Sequence, residues 1–364
     1  MWIEKLNVQN CRLLKDISLE LSPDLNIIIG ENASGKTSLL EALNLLASGK
    51  SFRTSHISEV ISHNKESVLV SAKINIEEST SQIGIEKNQK KTKIRINHKD
   101  VFSQAELSLF LPISSIHPES ISLITGSPSL RRSYIDWIAF YLYPSFHGKW
   151  RKYRHILKQR NLCLKNKKHF YALNQWTEEL AKLQPEIHSY RKDALLKISP
   201  VLSDISNKLL GTDKVELTLK AGFPSELNIE KDGYEKIITF YKSKEDYDLK
   251  VQRTVYGIHS ADIKITLGDK PAKESASRGQ LKLLAISMLL AQSRIINKEN
   301  NNSVLLIDDL AAELDSENKQ KLLNYLSSLK QQLVITSTHK IELKNIKSKM
   351  FHVKHGVFNE EETL

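Results

Sequence analysis

Cysteine is scarce here: the chain has two, Cys11 and Cys163, in 364 residues. Their spacing matches neither a metal knuckle nor a redox pair. A disulfide scaffold is thereby excluded, and both are expected to be reduced thiols of a cytoplasmic protein. Long apolar runs are lacking too. The two longest, 137–143 and 283–291, stop well short of the ~20 residues a bilayer-spanning helix requires. The opening residues Met1, Trp2, Ile3, Glu4 and Lys5 do not have the make-up of a secretory signal. No repeat of fixed period stands out, which argues against a repeat architecture. One further absence is local: from Trp137 to Thr177 there is no acidic residue.

What is present in excess is positive charge. Lys and Arg number 53 against 42 Asp and Glu, a formal net charge of +11. Such a balance says nothing about fold but favours polyanionic partners, nucleic acid first. The length suggests two domains, or one large domain with an insertion, and 40% hydrophobic content can build a sizeable core.

The most specific stretch is Gly30, Glu31, Asn32, Ala33, Ser34, Gly35, Lys36 and Thr37. It fits G-x-x-x-x-G-K-[ST], the loop that cradles phosphates in P-loop NTPases. The apolar run 25–29 before it reads as a buried strand, and residues 38–46 after it have helical character. Gly30 and Gly35 let the backbone turn its N–H groups inward, and the new helix adds its N-terminal dipole beside Ser38. Lys36 would reach the β- and γ-phosphates of ATP, and the Thr37 hydroxyl would hold Mg²⁺.

Around this loop, two half-buried strands are expected near Trp2–Val8 and Ile17–Leu21 in numbers 2–8 and 17–21. Arg12 lies between them, open to either a nucleotide contact or a solvated turn. Strict alternation at Val68, Val70, Ala72, Ile74 and Ile76, then Ile83 and Ile85, then Ile94 and Ile96, predicts an antiparallel meander turning near Glu78 and Asn88. A strand at 113–116 leads to His117, Pro118 and Glu119. Ser127 and Pro128 then open an apolar helix as N-cap and first residue.

Composition shifts near Pro144. Lys149, Arg151, Lys152, Arg154, Lys158, Arg160, Lys165, Lys167 and Lys168 follow, while Trp150, Tyr153, Ile156, Leu157 and Leu164 share one helical face. Trp176, Leu180, Leu183, Ile187, Tyr190 and Ala194 mark a second long helix, with Pro185 as its expected bend. The pair reads as a helical hairpin in a second lobe. A one-sign face repels itself unless a polyanion neutralises it, so Lys149, Arg151, Lys152, Arg154, Lys158 and Arg160 are candidates for DNA contact, with a merely basic surface as the alternative. With no base-reading motif, such binding would be backbone-driven and salt-sensitive.

Further on, a helix is expected from Gly233 to about Lys250 and a strand at 263–267. Ser277, Arg278, Gly279 and Gln280 then precede a Leu- and Ala-rich helix. Alone, that quartet is ordinary capping chemistry. It gains weight from Val304, Leu305, Leu306, Ile307, Asp308 and Asp309, a buried strand ending at a Mg²⁺-directed Asp308. A second such strand, 333–337, ends at Thr338 and His339, and strand tips of this kind gather nucleotide chemistry.

This ordered set, with Glu313, Leu314 and Asp315, resembles the ABC-type ATPase head, and more narrowly the RecF family of bacterial recombination and repair proteins. The likeness covers nearly the whole chain and includes Ser51, Phe52, Arg53 and Thr54, and Gly126 to Trp137 with Arg131 and Arg132. It implies an α/β fold: an ATPase head of mixed sheet and antiparallel meander at 1–144 and 251–364, with a mainly helical lobe inserted at 145–250. It implies that Ser277, Arg278, Gly279 and Gln280 meet the partner protomer's nucleotide across a two-fold dimer, with Asp315 as the D-loop carboxylate. It implies that Asp308 holds Mg²⁺ through water, that Asp309 orients or deprotonates attacking water, and that His339 contacts the γ-phosphate. The short Asp309 suggests slow hydrolysis, suited to a switch. By the same resemblance the protein would bind single- and double-stranded DNA at gaps or junctions, with RecR and RecO as partners in loading RecA.

There are departures. Ala33 stands where the family has glycine, tolerable if its φ is negative. The stretch Gly257, Ile258, His259, Ser260 lacks the family's proline and arginine. Glu119 stands where transporter heads carry glutamine, and is a candidate for the metal-bound water or nucleotide. The alternatives, a transporter-type subunit or a Rad50/SMC-like clamp, fit less well. The basic helical stretch between phosphate loop and signature is foreign to the first, and long heptads are missing for the second.

Overall fold

The computed structural model describes residues 1–77, 79–166, 171–212, 214–230, 232–300, 303–309, 314–341 and 347–361, the side chains of 299 and 300 excepted. Its strands in chain order are β1 (Trp2–Cys11), β2 (Leu14–Glu20), β3 (Leu25–Ile29), β4 (Val68–Ile76), β5 (Ser79–Lys87), β6 (Thr92–Ile96), β7 (Lys99–Val101), β8 (Ile113–Ile116), β9 (Val215–Lys220), β10 (Asp262–Leu267), β11 (Lys270–Pro271), β12 (Val304–Ile307), β13 (Gln332–Ser337), β14 (Ser348–Lys354) and β15 (Val357–Glu360). The chain falls into two compact units. The first is Met1–Ser120, Lys208–Gly211 and Lys282–Leu364; the second is Ile121–Asn207 and Thr212–Leu281.

Two six-stranded sheets build the first unit. One runs β2-β1-β4-β5-β6-β7, antiparallel throughout. Its alternation is the one in the sequence: Val68, Val70, Ala72 and Ile74 are buried, with Ile83, Ile85 and Ile94 on the paired strands. The other sheet runs β15-β14-β3-β13-β12-β8 and is parallel except for its β15 edge. Parallel strands covered on both faces need continuous apolar runs, and β3, β12 and β13 are buried at every position.

Helix α1 (Lys36–Ser48) contributes Leu39, Leu40, Leu43 and Leu46 to one core with both sheets. A helix apolar on nearly every side has to be buried this way. The buried Gln332 at the start of β13 ties the sheets together. Its Oε1 accepts from the Ile3 N–H at 2.8 Å, and its Nε2 donates to the carbonyls of Ile3 at 2.9 Å and Ser22 at 2.8 Å.

The second unit holds the expected helical hairpin, Phe146–Lys165 and the helix Leu173–Leu210 as far as Asn207, the latter running on through Pro185 and Pro200. It also holds the helix Pro128–Leu142, with Pro128 first and Ser127 at the N-cap position, where the Ser127 hydroxyl pairs with the Ser129 hydroxyl at 2.7 Å instead of capping a backbone N–H, and a three-stranded sheet β11-β10-β9. The unit is therefore larger and less purely helical than the 145–250 lobe read from composition. The change near Pro144 marks surface chemistry, whereas packing reaches back to Ile121 and on to Leu281. Part-buried ion pairs hold these margins: Arg131 to Asp262 at 2.7 Å, and Arg191 to Asp136 at 2.7 Å. The turn expected near Glu78, and Ala311, Ala312 and Glu313, lie outside the described residues.

Candidate functional site

Glycine at two points makes the phosphate loop possible. A Cβ on Gly30 would sit 2.4 Å from the Val353 carbonyl oxygen, so no side chain fits where β3 ends against β14. Gly35 has φ 116°, outside the range of L-residues, and caps α1. Ala33 departs from expectation: its φ is +63°, not negative. The alanine occupies the left-handed conformation that favours glycine, so the loop carries local strain there.

Within the loop, the Lys36 ammonium donates to the carbonyls of Gly30 at 2.6 Å and Glu31 at 2.8 Å. Burial lowers its pKa, with Asp309 and Asp308 opposing. The buried Ser34 hydroxyl has no hydrogen-bond partner among the described residues, an orphan that a ligand oxygen would satisfy. Residues 32–38 line a cavity of about 380 Å³ together with Arg12, Leu13, Arg53, Asp308 and Asp309.

Across the loop, β12 delivers Asp308. Its Oδ1 accepts from the Thr37 hydroxyl at 3.0 Å and from the Thr336 hydroxyl at 2.7 Å, and burial raises its pKa. Asp309 has φ 51°, and its N–H donates to the Thr336 oxygen at 2.8 Å. Thr336 on β13 thus fixes both carboxylate residues. A hydroxyl and one carboxylate, adjacent and hard, suit Mg²⁺, which keeps waters and phosphate oxygens for its other positions. The donor set and the orphaned Ser34 hydroxyl therefore fit a magnesium–nucleotide.

Arg12 is neither solvated nor free. Its guanidinium forks onto Glu41 of α1 at 2.8 and 2.9 Å, Glu41 is fully buried, and the Ser51 hydroxyl donates to the same carboxylate at 2.5 Å. Arg53, noted in the sequence only as part of the family likeness, lines the cavity. Loop residues brought together by tertiary contact carry no local signal of that placement.

The remaining candidates sit elsewhere. Glu119 is 78% exposed, pairs with the His117 ring at 3.1 Å and is not among the cavity-lining residues. His339 is exposed beyond β13, its N–H on the Ser337 hydroxyl at 3.1 Å. Asp315 caps the helix Ser316–Leu326, accepting from the Asn318 N–H at 2.8 Å. In the second unit, Ser277 and Gln280 form a reciprocal capping box. The Ser277 hydroxyl accepts from the Gln280 N–H at 3.2 Å, and the Gln280 side-chain Oε1 accepts from the Ser277 N–H at 2.9 Å. Ser277, Arg278, Gly279 and Gln280 are all exposed at this helix start.

The basic helix needs correction. Arg160 is fully buried, paired with Asp248 at 2.8 Å and bonded to Thr177 and Thr254, so it does not face DNA. Nor is the face without acids: Lys149 pairs with Glu186 and Lys152 with Glu179, both from the Leu173–Leu210 helix. Arg151 and Lys158 are exposed and have no ion pair among the described residues, and Arg154 stacks on Trp150 at 5.1 Å. The altered Gly257–Ser260 stretch, 257–260, is structural in this fold. The half-buried His259 ring bonds the Tyr153 hydroxyl at 2.7 Å and the Thr254 carbonyl at 3.0 Å.

Comparison with known proteins agrees with this geometry. The family model for the RecF/RecN/SMC N-terminal domain matches residues 2–361. A curated relative from Shewanella baltica, a DNA replication and repair protein RecF, is 32% identical over 363 residues, covering 98% of each chain. A solved structure of the recombination mediator protein RecF with ATP, in the RecFOR pathway, superposes with a TM-score of 0.88 at 28% identity, covering 99% of this chain and 97% of the other. An Smc head bound to the C-terminal winged-helix domain of ScpA shares the fold alone, with a TM-score of 0.56 at 18% identity over 99% of this chain and 97% of that one.

Proposed function

The chain belongs to the RecF/RecN/SMC family, on its RecF branch, and from that premise we propose that it is an ATP-switched DNA-binding protein of replication and recombinational repair. The observation that carries this reading is the Thr37–Asp308 contact at the mouth of a phosphate loop whose Ser34 hydroxyl is unpartnered among the described residues.

In this reading Lys36 exchanges its two backbone carbonyls for phosphate oxygens. Thr37 and Asp308 would hold Mg²⁺, which, when bound, would neutralise phosphate charge. Asp309, fixed through its N–H by Thr336, orients or deprotonates the attacking water. Being a residue shorter than glutamate, it gives slow turnover. His339 reaches the terminal phosphate. Glu119, engaged by His117, leaves the water to Asp309.

The capping box at Ser277 supplies the other half. Its exposed helix start would meet the partner protomer's nucleotide, so that ATP joins two copies. A ligand that binds only the dimer shifts the equilibrium toward it by mass action. The joined form grips the nucleic-acid backbone, hydrolysis releases it, and RecO and RecR are the partners with which it helps load RecA.

Sedimentation with ATP, ADP or no nucleotide, each with and without gapped DNA, tests the whole. Dimers are expected only with ATP, and salt-sensitive DNA binding only in that form. A chain that stays monomeric when saturated with a non-hydrolysable analogue and gapped duplex overturns the reading.

A further inference from the structure

Beside the nucleotide cavity lies a second one of about 580 Å³, on the same unit. Lys50, Arg53 and Lys87 line it, and no carboxylate does. None of these three cations has an ion pair among the described residues. Lys87 is the informative one. It is half-buried on β5, and its ammonium donates to the neutral Gly49 carbonyl at 2.6 Å. Burial, with Lys50 adding to it, pulls its pKa down. A lysine desolvated among other cations, without a counter-charge, is unfavourable until an anion arrives. The lining also has an apolar part: Phe52, Ile57 and Val60.

We propose that this cavity binds a phosphomonoester carried on a nucleoside, either the 5′-phosphorylated end of a DNA strand or a free nucleotide. A monoester dianion answers clustered cations better than a single-charge diester. A pocket with a partly apolar lining takes a terminal residue, base and sugar included, where an exposed basic face tracks a continuous backbone. The site is wired to the nucleotide cavity. Arg53 lines both, and the loop carrying it is pinned by Ser51 to Glu41, which holds Arg12 in the nucleotide cavity wall. Occupancy of one cavity therefore changes affinity at the other, reciprocally. The phosphate site stands without the ATP reading; only this coupling rests on it.

The test uses the full chain without ATP. Fluorescence anisotropy compares one 3′-labelled oligonucleotide with a 5′-phosphate and with a 5′-hydroxyl, and calorimetry measures dTMP against thymidine and inorganic phosphate. The phosphorylated strand, dTMP or both should bind at least about fivefold tighter than the form lacking phosphate. Which of them does so identifies the source. Lys87→Gln should abolish the preference, and Lys50→Gln, at an exposed position, should weaken it should the first variant fail to fold. Equal binding of both strands together with no preference for dTMP over thymidine overturns the proposal, as does a preference that survives in both folded variants. Loss of ATP binding by the same protein would sink the coupling and the ATP reading, yet leave the phosphate preference readable.

Discussion

Thr37 and Asp308 are 271 positions apart in the chain and 3.0 Å apart in the fold. Thr37 lies in the first turn of α1 and Asp308 directly follows β12, so the parallel order of β3, β13 and β12 brings them together. If they share a metal, Asp308→Asn should weaken magnesium-dependent ATP binding by tenfold or more and leave binding in chelator nearly unchanged. Burial raises the Asp308 pKa, so protons compete with the metal at a higher pH than at an ordinary aspartate. Magnesium affinity should fall on acidification before that of a surface carboxylate would. Calorimetric titration of nucleotide with and without magnesium, over a pH series, reads both effects.

The phosphate loop, the meander and the strand ending at Asp308 were legible because each is a local pattern: a spacing, an alternation, an unbroken apolar run. Arg160 was not. It shares a helix and a charge with Arg151 and Lys158, and only the register against Asp248, 88 positions on, buries it. The acids that neutralise Lys149 and Lys152 likewise arrive from another helix. Ala33 failed for another reason: the motif fixes which residues bend the loop but not the sign of φ at each.

That φ gives a stability prediction. Ala33→Gly removes a left-handed alanine, a gain of roughly 1 kcal/mol, partly offset by the greater freedom of glycine in the unfolded chain. A net gain of about 0.5 kcal/mol, or ~1–2 °C in melting temperature, is expected. Calorimetry that shows a loss of stability would mean the alanine is not strained.

Ser277 separates capping from dimerisation. Ser277→Ala should cost about 1 kcal/mol of local helix stability. Ser277→Arg should in addition leave the chain monomeric with ATP, while each protomer still binds nucleotide through its own phosphate loop. Sedimentation beside single-site ATP binding distinguishes the two variants, and ATP-driven dimers of Ser277→Arg would remove the signature from the interface.

Arg160 and its neighbours should part company. Arg160→Ala leaves Asp248 buried without its counter-charge, at a cost of about 3–5 kcal/mol. Arg151→Ala and Lys158→Ala should hardly move the melting temperature. Each should weaken DNA binding across sequences and lower the log–log salt slope by about 1 if it meets a phosphate. Unchanged slopes in both would place the DNA surface elsewhere.

His259 sets an acid limit on the second unit. Burial drives its pKa from an ordinary 6.5 down to about 4. Arg132 and Arg160 push the same way, while Asp248 and the Thr254 carbonyl oppose them. Between those two values the unfolded chain holds a proton that the folded chain refuses, so acid draws the equilibrium toward unfolding. The stability is fully present above pH 6.5 and lost progressively as pH falls toward 4, by about 3 kcal/mol in all. His188, whose pKa burial also lowers, adds to the same slope. His259→Gln cannot take up the proton and keeps a side chain able to reach Tyr153. It should be less stable than the parent at pH 7.5, yet lose less stability between pH 6.5 and 4.5. Urea midpoints across that range measure the difference, and parallel curves for the two proteins would show that His259 is not buried in its neutral form.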